Sequence, residues 1–121
     1  MTPLLFAAAA LAGGAGAVVR YLVDRGVARL VGTGFPWGVF LINVSGSFAL
    51  GWITAQLPSD ATFVLGAGFL GGYTTFSTAM LDVVALWRDG ERGAALFHSA
   101  GMVVAGVLAA IAGLATGAAL R

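Results

Sequence analysis

The sequence predicts an all-α integral membrane protein with four transmembrane helices. The chain has 121 residues, of which 60% are hydrophobic and only 9% are charged, which is too apolar for a soluble domain with a polar surface. Four stretches nearly free of charge each come close to the ~20 residues needed to cross a bilayer. They cover residues 3–23, 36–57, 61–87 and 94–120, and they form a single transmembrane domain over residues 1–121.

The connections between these stretches are short, which predicts that consecutive helices are antiparallel neighbours. Residues 24–34 form a charged loop that leads to Pro36, a residue suited to opening a helix. Ser59 or Asp60 is the predicted N-cap of the third helix, and residues 88–93 form the last loop. Loops of this length leave no room for an enzymatic or nucleic-acid-binding domain. We therefore expect no enzyme and no nucleic-acid partner, but a multi-pass protein of the cell membrane in contact with lipid.

The third stretch contains an unusual polar segment. Residues 68–78 read Gly-Phe-Leu-Gly-Gly-Tyr-Thr-Thr-Phe-Ser-Thr and place glycines and hydroxyls inside an apolar span. This pattern predicts a helix that is broken mid-membrane, near residues 71–75. Irregular backbone at bilayer depth is tolerated only where it is buried in protein or faces a polar cavity, and broken helices commonly coordinate ions. Exposed carbonyls suit a hard cation such as Na⁺, and nearby donors suit a small anion.

Asn43 is a carboxamide inside the second stretch, with Ser47 and Gly51 following at intervals of four on the same helical face. An unpaired carboxamide in hydrocarbon is costly, so Asn43 should face a partner or a pore. A hydrogen bond between helices would satisfy it without any role in transport. The hydroxyl cluster of the third stretch favours a polar path instead.

The hydroxyl residues Thr74, Thr75, Ser77 and Thr78 are candidates for the same path. Such residues often bond to carbonyls one turn back in membrane helices, which would account for one or two of the four. Phe76 beside them has the ordinary interpretation of a core aromatic. Its alternative role is specific, because the edge of the ring carries partial positive charge and can lie against an anion.

Arg20 and His98 each have two interpretations. Arg20 lies near the end of the first predicted helix, where its side chain could extend to the membrane interface or attract anions into a vestibule. His98 lies at the start of the fourth helix, with Met102 and Gly106 on the same face. A lone membrane histidine is commonly a hydrogen-bonded packing residue, but this one could border the ion path.

Small residues four apart predict close helix packing and oligomerisation. A chain of four helices can hardly enclose an ion path alone, so we expect a dimer, although any one pair could equally serve packing within a subunit. The pairs are Gly13 with Ala17, Ser47 with Gly51, and Gly113 with Gly117.

Three segments together resemble the Fluc (CrcB) family of fluoride channels, and the resemblance covers the whole chain. The segments are residues 13–21 (Gly-Gly-Ala-Gly-Ala-Val-Val-Arg-Tyr), residues 43–48 (Asn-Val-Ser-Gly-Ser-Phe) and residues 68–78. The resemblance implies an antiparallel, dual-topology dimer of four-helix subunits, with two fluoride pores at the interface and a central structural Na⁺. It implies passive export of fluoride and hence fluoride resistance.

The resemblance also implies roles for individual residues. Gly71 and Thr74 would offer carbonyls to Na⁺, and Arg20 would lie at the vestibule. The fluoride pore would be lined by Asn43, Thr75, Phe76, Ser77, Thr78 and His98. Three positions depart from the family pattern: His98 replaces a usual Tyr, Met102 a common Ser, and Ala79 a second Phe.

Positive charge is unevenly distributed between the two ends of the helices. Arg25, Arg29, Arg88 and Arg92 lie in the first and third connections, whereas the opposite side offers Arg121 and the free amine. By the positive-inside rule the chain should keep both termini outside, whereas a dual-topology homodimer needs a near-even distribution. Together with Ala79, this leaves open a heterodimer with an oppositely oriented homologue.

Two other classes fit the sequence less well. A small multidrug-resistance exporter has a similar length and four helices, but it needs a membrane-embedded Glu in its first helix, and residues 3–19 contain no acidic residue. A membrane subunit without transport activity would explain the small residues and short loops. It would not explain a broken third helix.

Overall fold

The computed structural model describes residues 2–121, and this part of the chain is helical without any β-strand. Four helical segments are long and apolar enough to cross a membrane, which makes the chain a multi-pass membrane protein. We name them spans 1 to 4 in chain order. Their bounds are Pro3–Val31, Trp37–Gln56, Ser59–Arg88 and Arg92–Ala119.

Span 1 is longer than the sequence predicted. Thr2 caps its start by accepting a hydrogen bond from the Leu5 amide at 3.1 Å, and Pro3 occupies the first turn, where a missing N–H costs nothing. The helix then continues through residues 24–31, which were predicted to be a loop. It ends only at Gly32, which has a φ of 81°. Arg20 therefore lies well inside span 1 rather than near its end.

Spans 2 and 4 pack along their length through small residues. A Cβ added to Gly51 would fall on the carbonyl oxygen of Ala110, and a Cβ added to Gly113 would fall on that of Phe48. Only glycine permits this approach of two helix backbones. The small-residue pairs predicted in these helices thus lie within one subunit.

Span 3 consists of several helical pieces and packs its first half against span 1. Its pieces are Ser59–Thr62, a π-helical segment Phe63–Leu70, a turn Gly71–Tyr73 and the helix Ser77–Arg88. The predicted side-chain cap is wrong: the N-cap residue is Pro58, and neither Ser59 nor Asp60 caps the helix. A π-helical segment is uncommon and frequently lies at a functional site.

An aromatic cluster closes the end of the bundle at the start of span 2. Phe35 packs edge-on against His98 with ring centroids 5.2 Å apart, and Phe40 stacks on Phe97 at 5.8 Å. Trp37 joins the cluster through Phe35 at 4.6 Å. This packing fixes the loop between spans 1 and 2 against the beginning of span 4.

Candidate functional site

Span 3 is interrupted between Tyr73 and Ser77. Thr74 leaves the helix with extended backbone angles of −81° and 161°, and helical structure resumes at Ser77. The interruption therefore lies slightly later than the predicted residues 71–75. Gly71 and Gly72 remain helical, and Gly72 packs directly on the Gly13 carbonyl of span 1. Gly72 thus serves helix contact, and neither glycine belongs to the interruption itself.

Asn43 holds the interruption open by pairing with the main chain of Thr75. Its Oδ1 accepts a hydrogen bond from the Thr75 amide at 2.9 Å, and its Nδ2 donates to the Thr75 carbonyl at 2.7 Å. A carboxamide offers an acceptor and two donors in one plane, so a single side chain replaces two helical hydrogen bonds. This two-point contact links span 2 to the middle of span 3.

The pairing releases two backbone carbonyls from their usual partners. In a continuous α-helix the amides of Thr75 and Thr78 would donate to the carbonyls of Gly71 and Thr74. Here the Thr75 amide donates to Asn43, and the Thr78 amide donates to Thr75 Oγ1 at 3.3 Å. The carbonyls of Gly71 and Thr74 are thereby freed, and they are the two that the family resemblance assigns to Na⁺.

Further contacts fix the chain just before the interruption. The amide and the hydroxyl of Thr74 both donate to the Leu70 carbonyl, each at 2.9 Å. Tyr73 shares a hydrogen bond with Ser45 of span 2, with 3.0 Å between the hydroxyl oxygens. Gly46 lies against the methyl group of Thr74, and a side chain at this glycine would push the two spans apart.

An open groove of about 390 Å³ lies beside the interruption. It is largely apolar and brings together five of the predicted site residues with Met102 of span 4. Those five residues are Asn43, Gly71, Thr74, Thr75 and Phe76. The Phe76 ring is 78% exposed, so its edge is free to meet an ion or a second subunit.

A second cavity, of about 220 Å³, shares Thr75 with this groove. Arg20, Thr78 and Asp24 also line it. The predicted vestibule residue thus lies one cavity away from the interruption, next to two of the predicted pore hydroxyls. Because Arg20 is only half-buried, its charge can act on ions near this cavity without being sealed inside the protein.

Two predicted pore residues lie apart from the groove. Ser77 is exposed at the start of the second half of span 3 and lines neither cavity. His98 is fully buried against Phe35 and Phe40, and neither ring nitrogen has a hydrogen-bond partner within residues 2–121. His98 and Met102 lie on the same face of span 4, but Met102 lines the groove whereas His98 packs in the aromatic cluster.

The sequence did not predict that Met102 contacts Asn43. In the structure the Met102 sulfur accepts a hydrogen bond from Asn43 at 3.1 Å. The sequence did not predict the Tyr73–Ser45 bond either. The i, i+4 spacing of His98 and Met102 pointed toward the groove without deciding which of the two reaches it. Ser45, two residues after Asn43, gave no comparable signal.

Within residues 2–121 no three His, Cys, Asp or Glu side chains converge as metal ligands. The freed carbonyls of Gly71 and Thr74 are the groups that fit a cation here. Neutral carbonyl oxygens suit a hard ion of low charge such as Na⁺ better than a transition metal. Two carbonyls alone form an incomplete coordination shell for such an ion.

Fold and site together define a small multi-pass membrane protein whose third span is opened to present main-chain groups. The family model described as "CrcB-like protein, Camphor Resistance (CrcB)" matches residues 7–114, and the chain belongs to this family.

Curated relatives match almost the full length. The chain is 41% identical over 114 residues to "Fluoride-specific ion channel FluC 2" of Mycobacterium tuberculosis (strain ATCC 25618 / H37Rv), covering 93% of this chain and 90% of the relative. It is 44% identical over 119 residues to "Fluoride-specific ion channel FluC 1" of Leifsonia xyli subsp. xyli, covering 94% and 87%. It is 41% identical over 120 residues to a third channel of that name, from Rubrobacter xylanophilus, covering 98% and 97%.

Proposed function

We propose that this chain is a subunit of a fluoride-selective channel that lets fluoride leave the cell passively. The observation that carries the proposal is the interruption at Thr74–Phe76, pinned by Asn43 and open to a groove. The names of the relatives that match almost the full length support fluoride as the ion. The protein is accordingly a transporter and not an enzyme.

The electrostatics of the interruption favour a small anion. The helix that begins at Ser77 presents its positive N-terminal end at the interruption, and its first amides have no helical acceptor. The Asn43 amide and the Phe76 ring edge add further neutral donors. Fluoride is compact and strongly hydrated, so several such donors must replace its water. A fixed cation in direct contact would bind fluoride too tightly for rapid release.

Arg20 serves in this proposal as an attracting charge rather than a binding site. Arg20 and Thr78 line the neighbouring cavity, and this cavity shares Thr75 with the groove. The charge of Arg20 raises the local fluoride concentration before the ion reaches neutral donors. In this proposal the membrane potential and the fluoride gradient drive flux.

We further propose that the working unit is an antiparallel dimer with a structural Na⁺ at its centre. The freed carbonyls of Gly71 and Thr74 would hold this ion together with their counterparts in the partner. The bound charge would pin the two interruptions in register and offset the repulsion between exposed carbonyls. The open groove and the exposed Phe76 ring are consistent with a surface completed by a second subunit.

The distribution of positive charge supports a second form of the dimer, in which the opposite subunit is a homologous chain. Arg29 lies in the last turn of span 1 and Arg88 in the last turn of span 3, at the same end of the bundle as Arg92. This asymmetry favours one orientation in the membrane. Ala79 is fully buried and has no aromatic ring to offer to the groove. A homologous partner could supply the ring that is absent at this position.

Reconstitution of the purified chain in proteoliposomes, with fluoride and chloride efflux recorded by ion-selective electrodes, tests the function. We expect fluoride efflux and no measurable chloride efflux. Asn43→Asp places a carboxylate against the Thr75 carbonyl, and we expect it to lower fluoride efflux about 10- to 100-fold, the effect of an unpaired buried polar contact. Equal fluoride and chloride efflux would contradict the proposal.

The same preparation distinguishes the two dimers. A homodimer predicts robust fluoride efflux from the chain alone, together with a dimeric mass in detergent. An obligate heterodimer predicts a folded but inactive preparation that gains activity when an oppositely oriented homologue is co-expressed. Thr116→Val serves as a control, because that hydroxyl bonds within its own helix at 2.8 Å and lines neither cavity.

A further inference from the structure

The side-chain amide of Asn43 is fully engaged. One hydrogen of Nδ2 goes to the Thr75 carbonyl at 2.7 Å, and Nδ2 also lies 3.1 Å from Met102 Sδ. A carboxamide nitrogen has two hydrogens, so these two contacts use both. Any ion that receives a hydrogen bond from Asn43 must first displace one of these acceptors.

The two acceptors differ in strength. A backbone carbonyl is a strong acceptor, and its contact with Asn43 is reinforced by the reciprocal bond from the Thr75 amide. A thioether sulfur is a weak acceptor. A small anion forms a charge-assisted bond that is roughly twice as strong as a neutral one. An arriving anion should therefore displace the Met102 sulfur from Asn43 Nδ2, while the pairing of Asn43 with Thr75 stays intact.

The surroundings of Met102 allow its thioether to move while its backbone stays fixed. Its side chain packs with Val39 and Ala79 and is only 8% exposed. Met102 lines the groove of about 390 Å³ that Asn43 also lines. Methionine has three rotatable bonds and adapts readily to its surroundings, so the end of the side chain can turn into the groove.

We propose that the Met102 thioether is a displaceable acceptor that occupies the second amide hydrogen of Asn43 when fluoride is absent. This inference rests on the proposed function and adds a residue that sets affinity. The sulfur spares Asn43 an unsatisfied donor between ions, and it weakens net binding because each arriving ion replaces a bond. Weak net binding is what rapid release requires.

Met80 provides a matched control. It lines the same groove and packs against the same cluster, but its sulfur makes no hydrogen bond to Asn43. Methionine and leucine have similar volumes, and exchanging them in a core is usually well tolerated. Met102→Leu and Met80→Leu thus make the same exchange at two sites in contact with the same cluster, and only the first removes the acceptor.

The test is the dependence of efflux rate on fluoride concentration for the wild type and both variants. We expect Met102→Leu to lower the half-saturating fluoride concentration about two- to fivefold, the effect of one weak neutral hydrogen bond. We expect Met80→Leu not to lower that concentration, because it removes no acceptor from Asn43. Packing damage would lower the maximal rate and would not raise the apparent affinity, so the sign of the effect separates the two causes.

Two outcomes would overturn the inference while the proposed function stands. One is a conducting wild type with an unchanged or higher half-saturating concentration in Met102→Leu. The other comes from NMR of methyl-¹³C-methionine, which gives few signals because the chain has 3 methionines. We expect fluoride to shift the Met102 methyl signal and chloride to leave it unmoved, and a response confined to Met80 would contradict this. A wild type without fluoride efflux, both alone and after co-expression with an oppositely oriented homologue, would reject the proposed function itself.

Discussion

Span 2 makes two very different contacts on its two sides. Toward span 4 it packs backbone against backbone, with Gly51 on the Ala110 carbonyl and Phe48 on Gly113. Toward span 3 it reaches across with a polar side chain, and Asn43 takes over hydrogen bonds that the helix has given up at Thr75. The first contact joins two intact helices, whereas the second depends on an open one.

The difference shows how a small chain can keep an opened helix at membrane depth. A main-chain amide and carbonyl left unpaired in an apolar setting are costly. Asn43 removes that cost, but only if span 2 holds it at a fixed place. The close packing of span 2 on span 4 provides this fixed position. The close packing of spans 2 and 4 therefore supports the polar interruption of span 3.

The largest effect is expected where the polar contact is removed. Asn43→Leu keeps the approximate volume but leaves the Thr75 amide and carbonyl without partners, which should cost about 2–4 kcal/mol of stability. We also expect fluoride efflux to be lost. Unfolding titration in mixed detergent and efflux from proteoliposomes measure the two effects. Ser47→Ala is the control on the same face, because its hydroxyl bonds to the Asn43 carbonyl within its own helix at 2.8 Å, and efflux should change less than twofold.

The contact between spans 2 and 4 should be nearly as sensitive, because a single added methyl group there should lower stability. Gly113→Ala places a Cβ on the Phe48 carbonyl, and separating the helices should cost about 1–3 kcal/mol. Gly26→Ala is the matched control, because a Cβ there meets nothing within 4 Å. The same unfolding titration compares them. Equal stability of the two variants would show that spans 2 and 4 are not held as closely as described.

A smaller effect is expected at the hydrogen bond beside the interruption. Tyr73→Phe removes the bond to Ser45 and should lower stability by about 0.5–1.5 kcal/mol, with fluoride efflux retained. Tyr21→Phe removes a hydroxyl that accepts an exposed hydrogen bond from Arg25 within its own helix, so it should not change stability measurably. If Tyr73→Phe abolished efflux, the Tyr73 hydroxyl would itself belong to the ion route.

The smallest effect is expected at His98. Its ring is fully buried without hydrogen-bond partners, so His98→Leu removes unpaired polar atoms and should change stability by less than about 1 kcal/mol in either direction. Fluoride efflux should stay near that of the wild type. A loss of efflux beyond tenfold, with stability intact, would instead place His98 on the ion route, as the family resemblance implies.

Much of this arrangement could be predicted from sequence because polar groups in apolar spans have few places to go. Asn43 and the hydroxyl segment each demanded a partner, and they meet at Thr75. The prediction was wrong where charged residues and glycines are compatible both with a helix and with its interruption. Arg25 and Arg29 indicated a loop, yet span 1 continues through them as a helix. Gly71 and Gly72 indicated the point of breakage, but they are helical.

The remaining details depend on packing that no local pattern encodes. Which residue of the face carrying His98 and Met102 reaches the groove depends on how Phe35 folds back over the start of span 4. The bond between Asn43 and a sulfur depends on how Met102 packs in a cluster with Ala79, which is fully buried. Residues distant in sequence decide both points.

The proposed function depends most directly on fluoride meeting the chain at Asn43. The sequence contains a single asparagine and a single histidine, so ¹⁵N-asparagine and ¹⁵N-histidine each give an unambiguous probe in bilayers. Solid-state NMR should show magnetisation transfer from fluoride ¹⁹F to Asn43 Nδ2, a shift of that signal with fluoride but not chloride, and no change at His98. Transfer to His98 alone, or an unchanged Asn43 signal in a preparation that conducts fluoride, would contradict the account.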